Sequence, residues 1–144
     1  MYTLDANIYA RDIDPNDPNY DDCHTLLERL SRGDVRVIVP TLLLAELAAS
    51  ISRVRRDPMR ARLTTDALQA LPFLEFIDLD RPLGREAAEI AADYAVKGAD
   101  AVYIAVARHY GCALVTLDKE QATRAARIVT VLTPQEALAA LSPQ

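Results

Sequence analysis

Four acidic residues occupy places in the sequence where carboxylates are unusual or where ligands commonly bind. They are Asp5, Glu46, Asp100 and Asp118. Several carboxylates in one crevice repel one another, and they gain most when a hard divalent cation enters. Because no cluster of His or Cys accompanies them, oxygen ligation favours Mg²⁺ or Mn²⁺ over zinc. Together the four acids predict a site for one of these two ions.

Glu46 is the least expected of the four acids, because it interrupts an apolar helical run. Its neighbours at helical spacing include Leu42, Leu43 and Ala49, and no basic residue lies three or four positions away. An ionised carboxylate in such surroundings is costly unless a cation or a metal pairs with it. Either Glu46 lies on an exposed stripe of its helix, or it faces a charged site.

Each of the other three acids has a purely structural alternative. Asp5 could begin a turn, and Asp100 stands at a natural helix N-cap position. Asp118 together with Gln121 fits a capping box. Taken singly, each acid therefore stays open to both roles. The expected topology favours a shared site, because it sends the strand-to-helix junctions to one edge of the sheet.

The elements that must position these acids alternate between short β-rich runs and helical runs. The sequence predicts strands at 2–4, 35–39, 73–79, 113–116 and 128–132. It predicts helices over 20–30, 41–56, 59–71, 82–96, 100–110, 119–127 and 134–141. The segment 14–19, rich in Pro, Asn and Asp, is expected to be a loop. Strands separated by helices are typical of βαβ units and of a parallel sheet covered on both faces.

Length and composition exclude several classes of protein. With 144 residues, of which 51% are hydrophobic and 26% charged, the chain is expected to form one domain over 1–144 and not a disordered segment. The longest apolar stretch, 37–51, is interrupted by a proline and a glutamate, so we expect no membrane span. No export signal is visible at the start of the sequence, and the distant Cys23 and Cys112 suit a reducing cytosol. We therefore expect a cytoplasmic protein.

The net charge of −5, from 21 acidic and 16 basic residues, argues against a protein that coats duplex nucleic acid non-specifically. The balance is uneven along the chain, because five arginines fall within ten residues. They are Arg53, Arg55, Arg56, Arg60 and Arg62. This run is either a solvated surface, a contact to a partner chain, or a group that attracts phosphates toward an otherwise acidic site.

Four segments in series resemble PIN-domain ribonucleases, and most closely the VapC-type toxins of type II toxin–antitoxin modules. The segments are Leu4-Asp5-Ala6-Asn7, Leu44-Ala45-Glu46-Leu47, Gly98-Ala99-Asp100-Ala101 and Val115-Thr116-Leu117-Asp118. The resemblance covers essentially the whole chain in order, length and element pattern. It implies a three-layer α/β PIN-like domain, whose central and mostly parallel sheet is flanked by helices on both faces.

The same resemblance implies a metal-dependent endoribonuclease that hydrolyses RNA phosphodiester bonds. Such proteins are usually homodimers inhibited by a small antitoxin, with Mg²⁺ as cofactor and Mn²⁺ as its substitute. The implied catalytic and metal-binding acids are Asp5, Glu46, Asp100 and Asp118, and the implied supporting residues are Asn7 and Thr116. The residues expected to contact RNA are Arg53, Arg55, Arg56 and Lys119.

Two features depart from the family pattern. Gln121 stands where a further acid is often found, three residues beyond the last Asp. The missing acid weakens the case for a second metal ion. The loop from Arg11 to Tyr20 is longer than in compact members, and the sequence suggests no role for it.

Other functions fit the sequence less well. A calcium loop in the first acidic segment would need Gly where Asp17 stands and Glu where Cys23 stands. An aspartate phosphotransfer domain would need a second acid beside Asp5 or two residues after it, where Ala6 and Asn7 stand. The main alternative is a catalytically inert PIN-like module that binds RNA or protein, against which the complete set of four acids argues.

Overall fold

The computed structural model describes residues 1–141, and its centre is a five-stranded sheet. The strands are β1 (Tyr2–Leu4), β2 (Val37–Pro40), β3 (Leu74–Ile77), β4 (Ala113–Val115) and β5 (Val131–Leu132). The helices are α1 (Ala6–Asp12), α2 (Tyr20–Arg32), α3 (Leu42–Arg55), α4 (Pro58–Gln69), α5 (Arg81–Tyr94), α6 (Gly98–Tyr110), α7 (Lys119–Ala125) and α8 (Pro134–Ala140).

The sheet is parallel throughout, in the order β3-β2-β1-β4-β5. In its register Tyr2 lies opposite both Val37 and Ala113, and Leu4 lies opposite Val115. Every residue of β1 and β2 is buried. Because successive side chains of a strand point to opposite faces, the sheet must be covered on both sides. The predicted three-layer α/β architecture is confirmed.

The strand order reverses at β1, and this reversal decides where a ligand can bind. The chain builds β1, β2 and β3 toward one edge of the sheet, then places β4 and β5 on the other side of β1. Loops that leave neighbouring strands in opposite directions open a crevice beyond the carboxyl ends of those strands. Here the crevice lies after β1 and β4, so the residues that follow these two strands are brought together.

Helix α6 is the central helix of the core. Residues 101–107 are all buried, and the helix contacts β1, β2 and β4, as its continuous apolar sequence predicted. It begins earlier than expected, at Gly98, with Lys97 as the N-cap residue. The assignment of Asp100 as an N-cap is therefore wrong, since this residue is the third of the helix. Its carboxylate still lies in the first turn, where the helix dipole favours a negative charge.

Helix α1 is the main element that the sequence analysis missed. It follows β1 with no intervening turn, and the Asp5 side chain begins it by accepting a hydrogen bond from the amide of Ala6 at 2.7 Å. The helix has only seven residues, which is too short for a helical period to stand out. Elsewhere the differences are in boundaries, and the predicted strand 128–132 shrinks to the two residues of β5.

None of the helices in residues 1–141 has the length and apolar character that crossing a membrane requires.

Candidate active site

Asp5 is the buried centre of the site, with only 7% of its surface exposed. Its Oδ1 accepts the amide hydrogen of Ala6, and its Oδ2 accepts hydrogen bonds from Asn7 Nδ2 at 2.5 Å and Thr116 Oγ1 at 3.0 Å. The carboxylate therefore acts as a helix cap, and it is also oriented by two side chains that come from separate parts of the chain. Such donors partly offset the cost of burying a charge.

Thr116 and Asn7 join the end of β1 to the segment after β4. Thr116 Oγ1 accepts hydrogen bonds from Asn7 Nδ2 and from the backbone amide of Asp118, both at 3.1 Å. Asn7 Oδ1 accepts the amide hydrogen of Leu117 at 3.3 Å. The two residues that the family resemblance implied as supports thus lie between Asp5 and Asp118, and they fix the distance between these two acids.

Asp118 caps α7 through one of its two carboxylate oxygens. Its Oδ1 accepts the amide hydrogens of Glu120 at 2.8 Å and Gln121 at 3.0 Å, and Oδ2 takes no part in the cap. The predicted capping box is only half formed. The Gln121 side chain is buried at 1% exposure, and within residues 1–141 neither of its amide atoms has a hydrogen-bond partner.

Glu46 is held by a residue that the sequence analysis did not identify. The hydroxyl of Tyr103 donates a hydrogen bond to Glu46 Oε2 at 2.6 Å, which links α6 to α3. Tyr103 is fully buried, and burial raises the pKa of its phenol far above the usual range, so the hydroxyl keeps its proton and stays a donor. The sequence contained one indication of this contact, because Tyr103 lies one helical turn after Asp100 in a stretch of α6 that is otherwise aliphatic.

Three of the four predicted acids line one cavity of about 450 Å³. Asp5, Glu46 and Asp100 face it, together with Asn7, Ser50 and two arginines. Asp118 does not line this cavity, but its negative charge raises the pKa of Asp100. The structure therefore brings the four acids into one neighbourhood, with Asp118 at its margin.

The acids act on one another electrostatically. The pKa of Asp5 is raised from 3.8 to about 7. Burial is the largest cause, the charges of Glu46 and Asp100 act in the same direction, and the hydrogen bond from Thr116 opposes them. Burial also raises the pKa of Asp100, with the charge of Asp118 next in importance. Where burial and neighbouring charges disfavour ionised carboxylates, a bound cation stabilises the ionised form most strongly.

The donor set fits a hydrated ion and does not form a closed cage. Among residues 1–141, no group of three or more Asp, Glu, His or Cys side chains is arranged to hold a metal ion directly. Asp5, Glu46 and Asp118 each have at least one oxygen engaged by protein donors. Mg²⁺ typically keeps several of its waters and takes only one or two carboxylates, and the buried Asp5 beside two further acids suits that mode.

The four basic residues predicted to contact RNA occupy different surroundings. Arg53 lines the acid cavity. Arg55 instead donates a hydrogen bond from Nη2 to the carbonyl of Ile13 at 3.3 Å. Arg56 is exposed at the end of α3, and Lys119 is exposed at the start of α7. The structure thus brings one of the four to the cavity.

Comparison with known families identifies the class. The sequence matches the PIN domain over residues 2–128, which is most of its length. The chain belongs to the PIN domain family. No curated protein sequence matches it at a significant level.

Solved structures share this fold at low sequence identity. The VapC20 toxin of Mycobacterium tuberculosis, described as cleaving the sarcin–ricin loop, has a TM-score of 0.72 and 17% identity over 85% of this chain and 94% of that one. FitAcB from Neisseria gonorrhoeae has a TM-score of 0.70 and 22% identity over 94% and 99% of the two chains. DNA-bound VapBC from Salmonella typhimurium has a TM-score of 0.70 and 19% identity over 93% and 98%.

The raised pKa of Asp5 predicts that metal-free protein loses stability as the pH rises. Below pH 3.8 the carboxyl is protonated in both the folded and the unfolded chain, and above about pH 7 the folded chain must hold a buried charge. The free energy of unfolding, relative to Asp5→Asn, should fall by about 4 kcal/mol from pH 4 to pH 8. Urea titrations of both proteins in EDTA measure this difference. Parallel pH profiles of the two proteins would contradict it.

Proposed function

We propose that the protein is an endoribonuclease of the VapC type, which hydrolyses RNA phosphodiester bonds with Mg²⁺ and accepts Mn²⁺ in its place. The observation that carries this proposal is the buried Asp5 carboxylate, which faces a cavity shared with Glu46 and Asp100 at the switch point of a PIN fold. Two similar structures support it, one described as a VapC toxin that cleaves the sarcin–ricin loop and the other as DNA-bound VapBC.

Asp5 and Asp100 are the residues that would hold the ion, with Glu46 or Asp118 contributing directly or through water. When bound, Mg²⁺ lowers the pKa of a coordinated water and neutralises charge on the phosphate oxygens. Asp118 Oδ2, which the α7 cap leaves free, is the oxygen that we assign to orienting or deprotonating the attacking water. Asn7 and Thr116 keep Asp5 in place through their hydrogen bonds.

The partners that we propose are RNA as substrate, a small cognate antitoxin and a second copy of the chain. Related structures described as VapBC and toxin–antitoxin complexes support the antitoxin. The exposed apolar side chains of Val54, Met59 and Leu63 on the surface of α3 and α4 support a covering protein partner. We assign Arg53, Arg55, Arg56 and Lys119 to RNA contact, because an acidic cavity repels a polyanion unaided.

A catalytically inert module that binds RNA or protein is the second candidate. The observation that favours it is that no three acids within residues 1–141 are arranged to hold an ion directly. This candidate would keep RNA binding and lose all metal-dependent cleavage.

A cleavage assay separates the two candidates. The wild-type protein should cleave single-stranded RNA in Mg²⁺ and lose that activity in EDTA, and Asp100→Asn should lower the rate by orders of magnitude, because one charge that holds the ion is gone. Asp93→Asn removes the same charge from an exposed position on α5 and should leave the rate unchanged. Equal rates for the two variants, or cleavage in EDTA, would contradict the proposal that these acids hold a catalytic metal ion.

Glu46→Gln should separate stability from activity. The amide oxygen of glutamine can still accept the hydrogen bond from Tyr103, while one negative charge leaves the neighbourhood of Asp5. Metal-free protein should be as stable as the wild type, or more stable by up to ~1 kcal/mol, whereas cleavage should fall by orders of magnitude. The rise in melting temperature on adding Mn²⁺ should also shrink. Melting curves in EDTA and in Mn²⁺, beside a cleavage assay, measure all three effects.

Glu89→Gln, an exposed change on α5, is the matched control for this prediction. A Glu46→Gln protein that is destabilised and fully active would remove Glu46 from the site.

A further inference from the structure

Positively charged residues also line the acid cavity. Arg11, at the end of α1, and Arg53, on α3, both line the cavity that Asp5, Glu46 and Asp100 face. Neither arginine forms an ion pair with any of the four site acids, since the pair made by Arg11 is with Asp17 and Arg53 takes part in none among residues 1–141. Two arginines therefore line the same cavity as the acids without forming ion pairs with them.

Arg11 is oriented by the loop between α1 and α2. Its Nη1 donates a hydrogen bond to Asp17 Oδ2 at 3.0 Å. Asp17 is itself fixed, because its Oδ1 accepts the amide hydrogen of Asn19 at 2.8 Å and its side chain is only 13% exposed. A carboxylate held in this way uses one N–H of the guanidinium and leaves the others for a further acceptor.

Arg53 is held along its own helix. Its Nε donates a hydrogen bond to the carbonyl of Ala49, one turn earlier, at 3.3 Å. This contact engages the inner nitrogen and leaves both terminal nitrogens of the guanidinium. Two terminal N–H groups of this kind bind phosphate oxygens in a bidentate manner.

Arg55 makes a structural contact that Arg53 does not make, although only two positions separate them. Its bond to the carbonyl of Ile13 ties α3 to the loop that carries Asp17, and its guanidinium lies 3.9 Å from Asp14. The end of α3 is thus tied to the loop 13–19. This contact gives the long loop a structural role.

We propose that Arg11 and Arg53 together form a subsite for a backbone phosphate of the RNA strand, with Asp17 as the residue that positions Arg11. The role in RNA cleavage rests on the proposed function, whereas phosphate binding by the two arginines can be measured without cleavage. Phosphate contacts position a strand and carry no sequence information, so the subsite supplies affinity and salt dependence and not base preference.

The test is binding of a fluorescein-labelled single-stranded RNA, followed by anisotropy in EDTA over a series of KCl concentrations. The Asp100→Asn protein serves as the background, so that no cleavage intervenes. Arg11→Ala and Arg53→Ala should each weaken binding about tenfold, since each loses a charge-assisted contact. Each should also reduce the slope of log affinity against log salt by about 0.7, the value for one phosphate contact in a single strand.

Arg85→Ala is the matched control, because Arg85 is exposed on α5, outside the acid cavity, and its loss changes the net charge by the same amount. Arg11→Lys retains the charge and should keep the salt slope while losing part of the affinity, which guards against a variant that fails to fold. Slopes for Arg11→Ala and Arg53→Ala equal to that of Arg85→Ala would overturn the subsite and assign these arginines to a protein partner. Cleavage of the same RNA by wild-type protein in Mg²⁺ then shows whether the proposed function stands without it.

Discussion

The carboxylate of Asp5, buried at the carboxyl end of the central strand, is the constraint on which the rest of the site depends. A charge in this position is unfavourable unless hydrogen-bond donors and a cation surround it. The donors come from Ala6, Asn7 and Thr116, so the first turn of α1 and the end of β4 are fixed relative to β1. The strand order makes this possible, because β1 and β4 are neighbours although their residues lie far apart in sequence.

Side chains of both signs of charge line the cavity. Asp5, Glu46 and Asp100 supply negative charge, and Arg11 and Arg53 supply positive charge. Within residues 1–141 neither arginine forms an ion pair with these acids. An acidic site alone would attract a cation and repel a phosphodiester, and a basic wall alone would do the reverse. Arg11 is held by Asp17 and Arg53 by the carbonyl of Ala49, so neither arginine is engaged by the acids of the cavity. In the function that we propose, this separation of charge would let one cavity accommodate both an ion and an anionic strand.

Much of the fold could be predicted from the sequence, because the type of each strand or helix depends mainly on the local residue pattern. Alternating β-rich and helical runs predicted the parallel sheet, and an apolar run predicted the buried α6. The positions of Asp5, Asp100 and Asp118 at strand-to-helix junctions, and of Glu46 on a helix face, predicted their shared neighbourhood. Contacts between distant segments could not be predicted in this way, because they depend on how the helices and strands pack together. The bond from Tyr103 to Glu46 depends on how α6 crosses α3, and the place of Arg11 depends on a helix too short for its period to be visible.

The most direct test of this account is the number of protons released when Mg²⁺ binds. Since burial and neighbouring acids raise the pKa of Asp5 to about 7, roughly half of the metal-free molecules hold that proton at neutral pH. Calorimetric titrations with Mg²⁺ at pH 7, in two buffers of different ionisation enthalpy, should show release of about half a proton per ion. At pH 9, where Asp5 is already ionised without metal, this release should vanish. Equal binding heats in the two buffers at pH 7 would mean that Asp5 is already ionised without metal, and would contradict the account.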